Sequence, residues 1–438
     1  MKQRITLGVV ALARKTFDYE AAYELYKGIL KDLEALEEVD LVAIEEQVIE
    51  VEDAKAAASR LTAAQIDGLV VISSTFHLGH LVLELDKVLH KPILLWGLPE
   101  LPYNGGKIRL NSVCGVNLNS SNLFKSGVKT YHVTVGSAID TDWVDAVRIA
   151  AALDRMNLGV IGYRAKGFFN LGVYDLNLYS EMGILINHYE LSEVWNYEVE
   201  PEEIERRRAQ VIELFDVSEL NEFQIGKVAE LTAKLGRFMA DNNLTALAVR
   251  CWPEFAAEFG ISPCAAMSIL QSEHNILSCE GDVEGAISMI AHRAVGGETP
   301  YLFDFSQVDL QEDTALLWHC GVAPCNLWDG VCTRSLSTYF AGGKGVTADF
   351  VLKNGDFSVL RLDSDRTDYR VFLASGSVIP MEKELRGTYM KARFTKPVDE
   401  MLRIVTDNGI AHHASVVYGH FLKPFRILAK IKGWQVIE

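Results

Sequence analysis

Three segments of the chain set ionisable groups inside apolar frames. Cys279-Glu280-Gly281-Asp282 follows a buried strand pattern and precedes a helical one, Val283 to Arg293. Asp304 lies within Tyr301-Leu302-Phe303-Asp304-Phe305, and His412-His413 within Ala411-His412-His413-Ala414-Ser415-Val416. Such groups cost several kcal/mol to bury unless they are paired or bound to a metal. Two carboxylates and an imidazole suit a hard or borderline divalent cation such as manganese, with water or substrate oxygens completing the shell. Together they can supply the base, the acid and the Lewis acid that a proton shift between adjacent carbons of a sugar requires. Plainer readings stand beside these. Glu280 also suits a carboxylate favoured at a helix N-terminus, and Asp304 a structural carboxylate bonded to backbone amides. Asp282 reads as a helix cap, His412 as solvated or supporting, His420 as an ordinary histidine, and Cys279 and Cys320 as buried filler.

The elements that must position these groups follow from hydrophobic period. In the first third, apolar strand runs (Ile5 to Leu12, Leu41 to Ile44, Gly68 to Ser73, Pro92 to Trp96) alternate with helical patterns, the order of a doubly wound parallel sheet. A second series runs from Leu158 to Tyr163 through Gly183 to Asn187, Ala246 to Cys251 and Asn275 to Cys279, with helices near Glu202 to Leu214 and Ile225 to Ala240. After Gly296-Gly297 the strands become shorter and are separated by turns such as Asn354-Gly355-Asp356. The expected division is three domains: residues 1–154 and 155–294, both α/β, the second carrying Glu280, and a β-rich domain, 295–438, carrying Asp304 and His413. Open α/β sheets place ligands at the carboxyl ends of their strands, where these polar segments fall.

Composition narrows the function. With 42 basic against 59 acidic residues the net charge is -17, which disfavours broad contact with nucleic acid or anionic lipid, so a small molecule is the expected partner. No run approaches the roughly 20 apolar residues of a membrane span. Seven scattered cysteines without paired CxxC motifs suggest reduced thiols in a cytoplasm rather than structural zinc. Lys2 and Arg4 ahead of the apolar Ile5 to Ala13 resemble a signal peptide, but the run leads into an amphipathic helix and reads better as a first strand.

Cys251-Trp252-Pro253-Glu254-Phe255, Cys279-Glu280-Gly281-Asp282-Val283-Glu284-Gly285-Ala286, Gly296-Gly297, Phe303-Asp304 and Trp318-His319-Cys320-Gly321 resemble, in order and spacing, the L-fucose and L-arabinose isomerases. The resemblance implies metal-dependent aldose-ketose isomerases with two flavodoxin-like domains, a barrel-like C-terminal domain and trimeric or hexameric assembly. It implies Glu280 and Asp304 as metal ligands and acid/base pair, His413 as third ligand, and Mn2+, Co2+ or Mg2+ as the metal. His319 follows the arabinose isomerases, in which a His of this segment also binds the metal, so it is either a fourth ligand or a substrate contact. Trp252, Glu254 and Trp318 are candidate substrate contacts, or core and surface residues. Arg14-Lys15 and Arg164-Ala165-Lys166 each follow a first strand; they are solvated loop charges, or Arg14 and Arg164 grip an anionic group such as the sulfonate of sulfoquinovose or a phosphate. A sugar-binding protein without catalysis is the rival from another class.

Overall fold

The computed structural model describes residues 2–366 and 368–438. They form two compact units, residues 2–151 with 423–435, and residues 152–422 with 436–438.

The first unit holds five parallel strands, β1 (Ile5–Leu12), β2 (Val39–Ala43), β3 (Gly68–Ser73), β4 (Ile93–Gly97) and β5 (Tyr131–Val135), in the order β2-β1-β3-β4-β5. This is the flavodoxin order. Every residue of β3 and β4 is buried, because helices cover both faces of the sheet. On one face the helix Tyr19–Glu34 presents Ala22, Tyr26, Ile29 and Leu33 to Trp96 and Trp143. On the other, Val51–Ala63 and His80–Leu89 bring Ala54, Leu61, Leu81 and Leu85 against Val71 and Leu95. Edge strand β5 is half exposed and lacks an apolar run, so its pattern does not announce a strand.

The second unit begins with a smaller parallel sheet, β6 (Leu158–Ile161), β7 (Ile186–Tyr189), β8 (Ala246–Val249) and β9 (Leu277–Ser278), ordered β7-β6-β8-β9. Nine strands follow among the described residues: β10 (Tyr301–Asp309), β11 (Thr314–His319), β12 (Ser335–Phe340), β13 (Gly345–Val351), β14 (Asp356–Asp365), β15 (Asp368–Ile379), β16 (Thr388–Phe394), β17 (His413–Tyr418) and β18 (Gln435–Ile437). Six of them run β16-β11-β10-β17-β14-β15, and pairing of β15 with β16 closes the ring. The chain is thus a mixed α/β protein with parallel-sheet layers and a closed, barrel-like C-terminal part, as the strand texture predicts. One apolar core joins sheet and barrel, with Leu247 and Phe255 packed in the same cluster as Phe350, Met390 and Val416. The helix Val283–Ala294 is buried along all but Arg293 and packs on β14 and β17, which makes it the spine between the two layers. Among the described residues no helix is long and apolar enough to cross a membrane.

Candidate active site

The site is assembled where β9 ends and the barrel begins. Glu280 adopts a left-handed backbone (φ 61°), followed by Gly281 at φ 73°. For a glutamate that conformation costs roughly 1–2 kcal/mol, and its surroundings hold it there. The Asp282 amide donates to the Cys279 carbonyl (3.0 Å), and the Ala165 amide to the Glu280 carbonyl (3.0 Å). A Cβ on Gly281 would overlap the carbonyl oxygen of Tyr163, so only glycine lets the turn pass the β6 loop.

Strand register supplies the other groups. In the antiparallel pairing of β10 with β17, Asp304 stands opposite His413, and cross-strand partners of this kind are in side-chain contact. His413 Nε2 lies 3.5 Å from Asp304 Oδ1 and 3.6 Å from Glu280 Oε2. His319, at the end of β11, stacks on His413 with ring centres 5.3 Å apart. One ligand atom each from Asp304, His319 and His413 lie within 4.8 Å of one another, as do those of Glu280, His412 and His413.

Hydrogen bonds fix which atom of His413 is available. Its Nδ1 is 3.1 Å from Asp282 Oδ2, a carboxylate that can only accept, so Nδ1 carries the proton and Nε2 a lone pair. That lone pair faces two carboxylates. His413 Nε2 and Asp304 Oδ1 are both buried without a hydrogen-bond partner. Lone pair against anion at 3.5 Å is repulsive, and a cation between them removes the conflict, so this donor set fits a divalent metal. Asp282 also caps the helix Val283–Ala294 through the Gly285 amide (2.9 Å), as its position after the strand predicts.

Behind Asp282 lies a buried charge network. Arg361, fully buried on β14, reaches Asp282 (2.5 Å), Glu284 (3.3 Å) and Asp363 (3.5 Å). Burial pushes the Asp282 carboxyl up, but Arg361 and His413 outweigh it and hold the group well below the usual carboxylate range. At Glu284 burial prevails over Arg361 and pushes the pKa up to about 7.

Other candidate residues divide by place. His412 Nδ1 takes the Asn170 amide (3.0 Å), which leaves its Nε2–H to donate to Glu280 Oε2 (3.2 Å). Its ring stacks on Phe168 at 5.3 Å, and Phe168 meets Trp252 edge-on at 6.2 Å, so Trp252 belongs to an aromatic wall beside Glu280. A cavity of about 650 Å3 opens at Glu280, Asp304 and His412, walled by Phe168, Phe303 and Phe372. Arg164 lies over the rings of Tyr163 and Phe169 (4.8 and 5.5 Å) on the loop that packs against Gly281. Glu254 pairs with Arg250 at the end of β8, while Trp318 donates its indole N–H to the Arg386 carbonyl (2.7 Å). Arg14 belongs to the first unit, where its amide donates to Thr75 Oγ1 (2.9 Å). Exposed His420 pairs with Asp356, apart from the site. Cys279 Sγ sits 3.2 Å from Cys251 Sγ; that hydrogen bond and burial push its thiol pKa up, which suits filler rather than a nucleophile.

Residues 8–157 match the family model described as the fucose/sulfoquinovose isomerase N-terminal domain. Over 433 residues the chain is 28% identical to the sulfoquinovose isomerases of Priestia aryabhattai and of Priestia megaterium (strain ATCC 12872 / QMB1551), covering 95% of each chain. The sulfoquinovose isomerase of Alkalicoccus urumqiensis is 26% identical over 386 residues, 85% of this chain and 86% of that one. The chain is thus similar to the fucose/sulfoquinovose isomerases in its N-terminal third and to sulfoquinovose isomerases over almost its whole length. The matches to whole relatives extend over both units, so both the Glu280 turn and the barrel strands lie within the matched span. Two residues that shape this site, Arg361 and Phe168, escape a reading by motif. Arg361 did carry a signal: it is the lone charge in Ser358-Val359-Leu360-Arg361-Leu362, an apolar frame like that of Asp304.

Proposed function

We propose that this aldose-ketose isomerase acts on sulfoquinovose, interconverting the open-chain 6-sulfo aldose and its ketose. The observation that carries the chemistry is the Nε2 lone pair of His413 standing between two carboxylates, 3.6 Å from Glu280 Oε2 and 3.5 Å from Asp304 Oδ1. Glu280, Asp304 and His413 would hold a divalent cation, Mn2+ first and Co2+ or Mg2+ next. When bound, it supplies the Lewis acid that polarises the sugar carbonyl. One carboxylate of the Glu280/Asp304 pair takes the proton from C2, and the pair returns a proton to C1 through a cis-enediol. C2 is oxidised and C1 reduced within one molecule, so no organic cofactor is required. His412 orients Glu280, and the Phe168/Trp252 wall gives the sugar's apolar face a surface and keeps water from the carbanion-like centre.

Two facts support an anionic substrate. The relatives bear the name sulfoquinovose isomerase, and among the described residues Arg164 lies over two rings with no carboxylate partner, in a chain of net charge -17. A guanidinium left without a carboxylate in so acidic a protein is suited to an anion from outside. Exposed Phe169, Tyr174 and Leu176 support the further proposal of a homo-oligomer, trimer or hexamer.

The test is turnover by metal-stripped protein, with and without Mn2+, on sulfoquinovose, L-fucose, L-arabinose and a sugar phosphate. Restoration by Mn2+, selective for sulfoquinovose, is expected; sugar binding without any turnover would sink the isomerase reading. Replacing Arg164 by Ala is expected to raise KM for sulfoquinovose roughly 10- to 100-fold, the worth of a charged hydrogen bond, with little change for a neutral sugar. Equal effects on both sugars would remove the sulfonate from the account.

A further inference from the structure

His413 and His319 stack ring on ring, yet their hydrogen bonds give them opposite tautomers. His413 donates from Nδ1 to Asp282, which frees the Nε2 lone pair. At His319 two groups of Cys320 meet Nδ1: the backbone amide, which can only donate, from 2.8 Å, and the thiol Sγ from 3.2 Å, whose S–H can donate to the same lone pair. A neutral imidazole has one N–H and one lone pair. With the lone pair on Nδ1 engaged, the His319 proton sits on Nε2, and that nitrogen is buried with no partner in the protein. A protonated Nε2 cannot ligate a cation.

We propose that His319 is not a metal ligand but a hydrogen-bond donor to the bound sugar, its Nε2–H directed at the oxygen on C1 or C2. This rests on the isomerase reading above, with the cation held by Glu280, Asp304 and His413. His319 stands at the same cluster as Asp304 and His413, so its donor meets the oxygen that gains negative charge as the C2 proton leaves. A fixed donor at developing charge acts on the rate more than on ground-state binding. His412 follows the same logic, with Nδ1 accepting and Nε2–H donating, but spends its proton on Glu280. Of the three histidines gathered here, His413 alone has the ligating tautomer.

The test uses full-length, tag-free protein loaded with Mn2+ and no sugar. Electron spin echo envelope modulation of the native protein is expected to show a single coupled imidazole, retained in His319→Gln and lost in His413→Gln. Calorimetric Mn2+ affinity is expected to stay within about threefold in His319→Gln and to fall roughly 10- to 100-fold or more in His413→Gln. The kcat of His319→Gln on sulfoquinovose is expected to drop roughly 10²- to 10³-fold, the cost of one lost oxyanion donor. Two coupled imidazoles in the native protein, or an affinity loss in His319→Gln equal to that of His413→Gln, would make His319 a ligand and overturn the assignment. An unchanged kcat would overturn it as well. The echo measurement on native protein needs no variant to fold. Native protein that binds no Mn2+ would sink the metal reading and this assignment with it, whereas binding through two imidazoles would sink the assignment alone.

Discussion

Replacing Glu280 by Gln is expected to lower kcat by at least about 10³-fold while leaving the fold intact, because general acid–base groups contribute roughly 10²- to 10⁴-fold. The substitution keeps the shape of the side chain, which sits in a left-handed turn with Oε2 between His412 and His413 (3.2 and 3.6 Å). What it removes is an oxygen that can take and return a proton, and one anionic donor to the cation. Conversion of sulfoquinovose, together with exchange of the C2 hydrogen against deuterium from solvent, separates the two losses. Loss of exchange with Mn2+ bound at saturation assigns Glu280 to proton transfer; exchange restored simply by raising Mn2+ would restrict it to holding the cation. A variant within tenfold of native turnover would take Glu280 out of the mechanism altogether. Circular dichroism and the denaturation midpoint are expected to match the native protein, since the side-chain hydrogen bond of Glu280 is to half-buried His412, which a Gln oxygen can also accept, and its backbone bond to the Ala165 amide is untouched.

Glu280 and Asp304 stood out in the sequence for a thermodynamic reason: a carboxylate inside an apolar run must be compensated. The expected strand-end position holds for Glu280, just past β9, whereas Asp304 lies inside β10, where an antiparallel neighbour and not a strand terminus brings it to the site. The parallel strands were legible for a related reason, since β3 and β4 are buried on both faces and read as continuous apolar runs. Strands β16 and β17 and closure of the ring by β15 on β16 are long-range pairings that no local period encodes. The roles of the histidines were hidden differently. His412, His413 and His319 are alike in composition, and what separates their tautomers is the partner of Nδ1: Asn170, Asp282 and the Cys320 amide. Two of those three partners lie more than a hundred residues away in the chain. Asp282 was legible as a cap but not as the group that sets the tautomer of His413, because Arg361 and His413, which complete its shell, come from β14 and β17.

Arg361 is the residue whose loss is expected to cost most stability. Its guanidinium touches three carboxylates, and all four side chains are almost wholly shielded from water. Removing one partner of a buried ion pair typically costs 3–5 kcal/mol, because the remaining charge loses its compensation, and Arg361→Leu leaves Asp282 and Glu284 in that state. Asp363 is spared, since Arg370 still holds it at 2.7 Å. A destabilisation of about 3–5 kcal/mol at about pH 8 is therefore expected from denaturant unfolding. The pH dependence gives a sharper check. In the native protein Asp282 is held below its unfolded value, so it adds stability above the ordinary carboxylate range. Without Arg361, burial dominates, as it already does at Glu284. Folded-state pKa values then lie above the unfolded ones, so the folded state binds more protons and stability falls as pH rises through that interval. The deficit is expected to be smallest near about pH 5 and to grow toward about pH 8, with Arg361→Lys intermediate because one ammonium replaces a three-way fork. A protonated Asp282 also releases its hold on His413 Nδ1, so in the variant Mn2+ affinity is expected to run the opposite way, falling as pH drops through the same interval. A deficit that stays flat with pH would mean that Arg361 is lost as packing volume, not as a charge, and would uncouple the network from the metal-binding tautomer.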